Sequence, residues 1–202
     1  MSLKDTYRTI EKASEGLYKD KGSKFISFLF PVRTEDEVKD ILHEIKKEHF
    51  SARHHCYAYR LGDRGERYRM NDDGEPSGTG GKPIYGQIVS CDLTNVLIIV
   101  VRYFGGTLLG VSGLINAYRS AAADVLNKAE IVEKLMNDFY RITCDYQTQS
   151  QLTRILKETQ AEIIQSKFTT NCEYTISVRQ ANSLTLFERL NSIYAVTIER
   201  TD

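Results

Sequence analysis

The chain has 202 residues, 41% hydrophobic and 27% charged, with 27 basic against 27 acidic residues for a formal net charge of +0. Such a length fits one large or two small globular domains, and balanced charge excludes a global field that would hold nucleic acid nonspecifically. The longest apolar run, Val96 to Val101, is too short to cross a bilayer, and Met1-Ser2-Leu3-Lys4-Asp5 lacks the apolar core of a signal peptide. With Cys56, Cys91, Cys144 and Cys172 widely spaced, the expectation is a cytoplasmic protein with reduced thiols and no membrane partner.

Glu15 to Val32 reads as a hairpin, with Lys19-Asp20-Lys21-Gly22 supplying the turn and Phe25 to Phe30 aromatic and branched enough for a strand. Thr34 starts a helix, and Glu37 three residues on completes a capping box. Val38, Ile41, Leu42 and Ile45 form its apolar stripe; His43 and His49 read as surface histidines. Arg53 to Gly62 is a strand with His54, Cys56, Ala58 and Arg60 on one face and His55, Tyr57, Tyr59 and Leu61 on the other. After a turn at Gly62 to Gly65, Glu66 to Met70 returns as its hairpin partner. Asn71 to Gly81 is a loop, Pro83 to Ser90 a helix with proline in its first turn, and Thr94 to Phe104 a strand buried on both faces because its apolar run does not alternate. Gly113 to Asn127 is a helix with Leu114, Tyr118, Ala121, Ala122 and Val125 on one face.

The polar stretch Lys128 to Asn137 is expected to link two domains, residues 1–132 and 136–202. In the second, Tyr140 to Cys144 alternates as a strand and Gln149 to Thr159 is a helix buried through Leu152, Ile155 and Leu156. Glu162 to Phe168 and Tyr174 to Val178 are strands, Asn182 or Ser183 caps a helix, and Tyr194, Val196 and Ile198 form a last strand. This βαββαβ order is the ferredoxin-like plan, so the predicted class is α+β.

The chemistry gathers in residues 53–113. Gly105 to Gly110 has the glycine spacing of a P-loop, but Val111 stands where its lysine belongs. The weaker expectation is an anion site at Gly110, Ser112 and Gly113, where free N–H groups open a helix; the alternative is that the glycines only allow close packing. His54, Cys56 and the acidic loop do not make a metal site, since His54 and His55 point to opposite faces and no ligand spacing supports a third donor. No cofactor fingerprint occurs. Ser77 lacks a nucleophile elbow. Arg53, Arg60, Arg64, Arg67, Arg69 and Arg102 interleave with Tyr57, Tyr59, Tyr68 and Tyr103. That pattern suits phosphate contact and base stacking, or a solvated hairpin whose arginines pair with Asp63, Glu66, Asp72 and Asp73.

Three motifs carry a resemblance: His54-His55-Cys56-Tyr57-Ala58-Tyr59-Arg60, Asp72-Asp73-Gly74-Glu75-Pro76-Ser77-Gly78-Thr79, and Val101-Arg102-Tyr103-Phe104-Gly105-Gly106. They resemble the IMPACT N-terminal family, its bacterial YigZ-type branch in particular. The resemblance implies a first domain like ribosomal protein S5 domain 2 and a ferredoxin-like second domain similar to the last domain of elongation factor G. Eukaryotic members act as translational regulators, restraining an amino-acid-starvation kinase by competing for its co-activator. They use an additional RWD domain for this, for which the residues before Tyr7 leave no room. The resemblance brings no catalytic residues with it. The expectation is a non-catalytic module that binds RNA, the ribosome or a translation-related protein through Arg53, His54, Arg60, Asp72, Asp73, Glu75, Ser77, Lys82, Arg102 and Tyr103. The alternative is an enzyme acting on a phosphorylated small molecule held at Gly110 to Gly113.

Overall fold

Strand β1 (Thr6–Ile10) precedes a hairpin of β2 (Ser14–Asp20) and β3 (Ser23–Pro31) in a computed structural model that describes residues 5–201. Its two-residue turn places Lys21 and Gly22 at φ 42° and 81°, the left-handed pair whose twist suits the flanking strands. Helix α1 (Glu35–Glu48) starts at Thr34, whose hydroxyl accepts the Glu37 N–H, while the Glu37 carboxylate takes the N–H of Arg33. Then come β4 (His54–Leu61), β5 (Arg67–Asn71), α2 (Gly81–Ser90), β6 (Val96–Tyr103), α3 (Gly110–Lys128) and β7 (Ile131–Leu135).

Five of these strands form an antiparallel sheet ordered β2-β3-β6-β4-β5. Helix α1 covers one face and α2 with α3 the other, which explains why β6 reads as continuously apolar. Leu97, Ile99 and Val101 enter the core beneath α1 with Val38, Ile45, Tyr59 and Leu61. Val96, Ile98 and Val100 enter the opposite core with Ile84, Ala117, Tyr118, Ala121 and Val125. Each fully buried branched side chain contributes about 1.5–3 kcal/mol, so this strand anchors both layers.

The chain divides into two units, Tyr7–Lys134 and a second made of Leu135 onward together with Asp5 and Thr6. The stretch expected as a polar link instead contains β7, which pairs with β1 as a two-stranded sheet. In the second unit, β8 (Asn137–Cys144), α4 (Gln149–Glu158), β9 (Glu162–Phe168), β10 (Cys172–Arg179), α5 (Gln180–Asn191) and β11 (Val196–Thr201) follow the expected βαββαβ order. Their antiparallel sheet runs β11-β8-β10-β9. Arg179 donates to both Asp5 carboxylate oxygens, at 2.5 and 3.0 Å, and the Met136 N–H donates to the Asp5 carbonyl at 2.7 Å. Two helix starts differ from expectation. α5 begins at Gln180 with Arg179 at its cap position, and Ser183 lies inside it, bonded to the Tyr140 hydroxyl. α3 begins at Gly110, a turn before Gly113. Among the described residues no helix is long and apolar enough to cross a membrane.

Two glycines separate packing from permissiveness. A Cβ on Gly105 would lie 1.9 Å from the Gly22 carbonyl carbon, whereas one on Gly86 in α2 meets nothing within 4 Å. Gly105→Ala is expected to destabilise by about 2 kcal/mol through a backbone clash. Gly86→Ala should stabilise by about 0.5–1 kcal/mol by removing a helix-interior glycine. Chemical denaturation of both variants checks the pair.

Candidate functional site

The Asn71–Gly81 loop is built by one carboxylate. Asp72 accepts the N–H groups of Gly78, Gly80 and Gly81 at 2.8, 2.9 and 2.8 Å, so it folds the loop back and satisfies the first free donors of α2. The approach is close: a Cβ on Gly81 would lie 2.5 Å from the Asn71 nitrogen. Asp73, at φ 41°, accepts from Lys46 Nζ at 2.9 Å and from the His55 N–H at 2.7 Å. Burial works against the charge on Asp73, but those bonds outweigh it and hold its pKa below the usual carboxylate value. Both aspartates are thus spent on organising the loop.

That fold turns Glu75 inward. Its Oε1 accepts from Arg102 Nη1 at 2.7 Å and from the Tyr118 hydroxyl at 2.8 Å, and His54 Nε2 lies 4.0 Å away. The His54 Nδ1 is 2.9 Å from the Asp73 carbonyl. A carbonyl only accepts, so Nδ1 carries the proton and Nε2 faces the carboxylate. Burial raises the Tyr118 phenol pKa well above its ordinary value and does the same to the Cys56 thiol. Cys56 Sγ donates to the Asp72 carbonyl at 3.0 Å. A buried neutral thiol in that position is a packing group, not a nucleophile.

Arg102 and Glu75 form the floor of a cavity of about 440 Å³. Arg53, His54 and Pro76 also line it, together with Phe104, Leu108, Leu109, Gly110, Val111 and Leu114. The Arg102 guanidinium carbon lies 5.6 Å from the Phe25 ring centroid and 5.7 Å from that of Phe104, within cation–π range.

Of the candidate residues, Arg53, His54, Glu75, Arg102 and Gly110 meet at this cavity. Ser112 is exposed in the first turn of α3, and Gly113 lies beyond the free N–H groups, packed toward Leu109. Ser77 and Lys82 are exposed and do not line the cavity. Tyr103 points to the other face of the sheet, where its hydroxyl meets His49 Nδ1 at 2.9 Å. His49, expected at the surface, is half-buried against Phe28 and Tyr103. Arg60 does not join the site: its guanidinium is bound to the carbonyls of Gly65, Leu93 and Arg64. The apolar wall and the Tyr118 hydroxyl escaped sequence reading. Leu108 and Val111, apolar residues inside a glycine-rich loop, were the available signal.

Two measurements follow from this geometry. Glu75→Gln leaves a buried guanidinium without its counter-charge, a loss of about 3–5 kcal/mol, and a cycle with Arg102→Met should give a coupling of about 1–3 kcal/mol. Additive effects in urea unfolding would contradict the pairing. His55 is 5% exposed, its Nε2–H donating to the His49 carbonyl at 3.2 Å. Burial lowers its pKa below 6.5, the Asp73 charge only partly opposing. The unfolded state therefore binds the proton more readily. This contribution is complete above about pH 6.5 and is lost as pH falls below it. His55→Gln should flatten the stability–pH curve in that window.

Comparison with known proteins places this site in a family. The Impact N-terminal domain matches residues 21–126. The IMPACT family member YvyE of Bacillus subtilis is 34% identical over 87% of this chain and 81% of its own. The IMPACT family member YigZ of Escherichia coli is 33% identical over 73% of this chain and 74% of its own. A crystal structure described as that of a hypothetical protein superposes with a TM-score of 0.75 at 25% identity, covering 99% of both chains. The matched span contains every residue of the cavity, and the chain belongs to the Impact N-terminal domain family.

Proposed function

We propose that this chain is a regulatory binding module of the cytoplasmic translation apparatus, engaging a protein surface, the ribosome included, through the cavity face of its first unit. The translation link rests on the family, whose eukaryotic members regulate translation. The two units are taken as the S5-domain-2-like and ferredoxin-like folds that the resemblance implies.

One observation carries the reading. The cavity rim exposes Phe104, Leu108 and Val111 at 54%, 82% and 60%, three large apolar side chains around a buried charged floor. Exposed apolar clusters ringing a polar centre favour docking to a protein. The arginines bear less well on an extended nucleic-acid track. Arg60 is bound to backbone carbonyls and Arg102 is 7% exposed, so neither is free to follow a phosphate backbone. Recognition is favoured over catalysis because Cys56 is buried and spent on a carbonyl, and His54 fixes its tautomer on the Asp73 carbonyl, with no hydroxyl or thiol bonded to its ring among the described residues.

Cosedimentation with ribosomes and titration with short RNA test the reading. Leu108→Asp, a change at an exposed side chain, should leave folding intact and weaken ribosome association about tenfold or more. Tight binding to free RNA that falls steeply with salt and ignores Leu108→Asp would overturn it.

A further inference from the structure

We propose that the cavity beside α3 is a site for a single oxyanion, a phosphate or carboxylate group, borne on a small apolar body. The proposal rests on the reading of this face as a recognition surface and names the chemistry that enters it.

Arg102 is the principal observation. It is 93% withdrawn from solvent, at 7% exposure, yet among the described residues Glu75 is the one acceptor it finds, through Nη1. Its Nε is buried with no hydrogen-bond partner. A guanidinium carries five donors in a fixed fork, and leaving donors buried and unmade is costly. With Nη1 held by Glu75, the unused edge is Nε and Nη2, the edge that grips an oxyanion in two parallel bonds. The exposed ring of Phe104 lies over the face of this guanidinium, and Arg102 itself lines the cavity.

Three further features converge on the same space. Helix α3 has 19 residues and opens at Gly110, and its cap residue Leu109 supplies no side-chain hydrogen bond to the helix start, so the first-turn N–H groups and the positive end of the helix dipole stand in the cavity wall. Arg53 also lines the cavity and has no ion pair among the described residues. The charges favour an anion: Glu75 is neutralised by Arg102, which leaves Arg53 and the helix end positive. The apolar rim then accommodates the rest of the ligand, and about 440 Å³ is the volume of a small-molecule site.

The test uses the full chain with phenyl phosphate, benzoate, inorganic phosphate and neutral benzyl alcohol, followed by calorimetry and by amide shifts. Phenyl phosphate or benzoate should bind, and the tighter of the two assigns the oxyanion. Inorganic phosphate, lacking the apolar body, should bind more weakly, and benzyl alcohol should not bind. Arg53→Ala removes an exposed charge, and Val111→Glu adds a carboxylate that suits a helix start but repels an anion. Each should weaken binding about tenfold or more while the circular dichroism is unchanged. A folded wild-type chain that binds neither aromatic anion, or variants that bind them unchanged, would overturn the proposal. Aromatic-anion binding alongside tight, salt-sensitive RNA binding that ignores Leu108→Asp would sustain this site and overturn the preceding reading.

Discussion

A carboxylate and a guanidinium, both withdrawn from water and 2.7 Å apart, tie together the parts of the first unit that matter for function. Glu75 comes from the glycine-rich loop, Arg102 from the end of β6, and Tyr118, bonded to the same carboxylate oxygen, from the middle of α3. Removing two charges from water is expensive, and their attraction repays it only when geometry is close and the remaining lone pairs find donors. Here the Tyr118 hydroxyl supplies the second donor. The pair therefore fixes where loop, strand and helix stand relative to one another, and the cavity is the space they leave between them.

The pair in turn depends on the loop that delivers Glu75. Asp72 gathers three backbone N–H groups and Asp73 takes the His55 N–H and Lys46. Both aspartates are consumed as scaffolding. The consequence is a division of labour among neighbouring charges: Asp72 and Asp73 shape the backbone, Glu75 holds an arginine, and that arginine keeps donors in reserve. Such an arrangement suits recognition, where rigidity of the receiving group limits the entropy lost on binding.

The sheet and helices were legible because periodicity reports burial directly. The unbroken apolar run of β6 showed that both its faces are buried, and α4 was readable through Leu152, Ile155 and Leu156. What failed was what depends on partners distant in the chain. Strand β7 hid among Glu130, Glu133 and Lys134 because its partner β1 lies more than a hundred residues away. Helices α3 and α5 begin without a side-chain capping bond, so the usual start signal is absent and a glycine, asparagine or serine further in offers a false one. Arginine identity said nothing about direction. Arg60 and Arg102 share a pattern in the sequence, but one turns to backbone carbonyls and the other to a buried glutamate. His49 looked exposed at a helix end, and only the fold brings Tyr103 to it.

The claim that the buried ion pair presents an anion-receiving edge is tested most directly by a crystal grown with 4-bromophenyl phosphate, locating bromine by anomalous scattering. The expected result is the phosphate against Arg102, Arg53 and the first turn of α3, with bromine beside Phe104, Leu108 and Val111 and the Glu75–Arg102 bond intact. A ligand bound elsewhere, with Arg102 still contacting Glu75 alone, would contradict it.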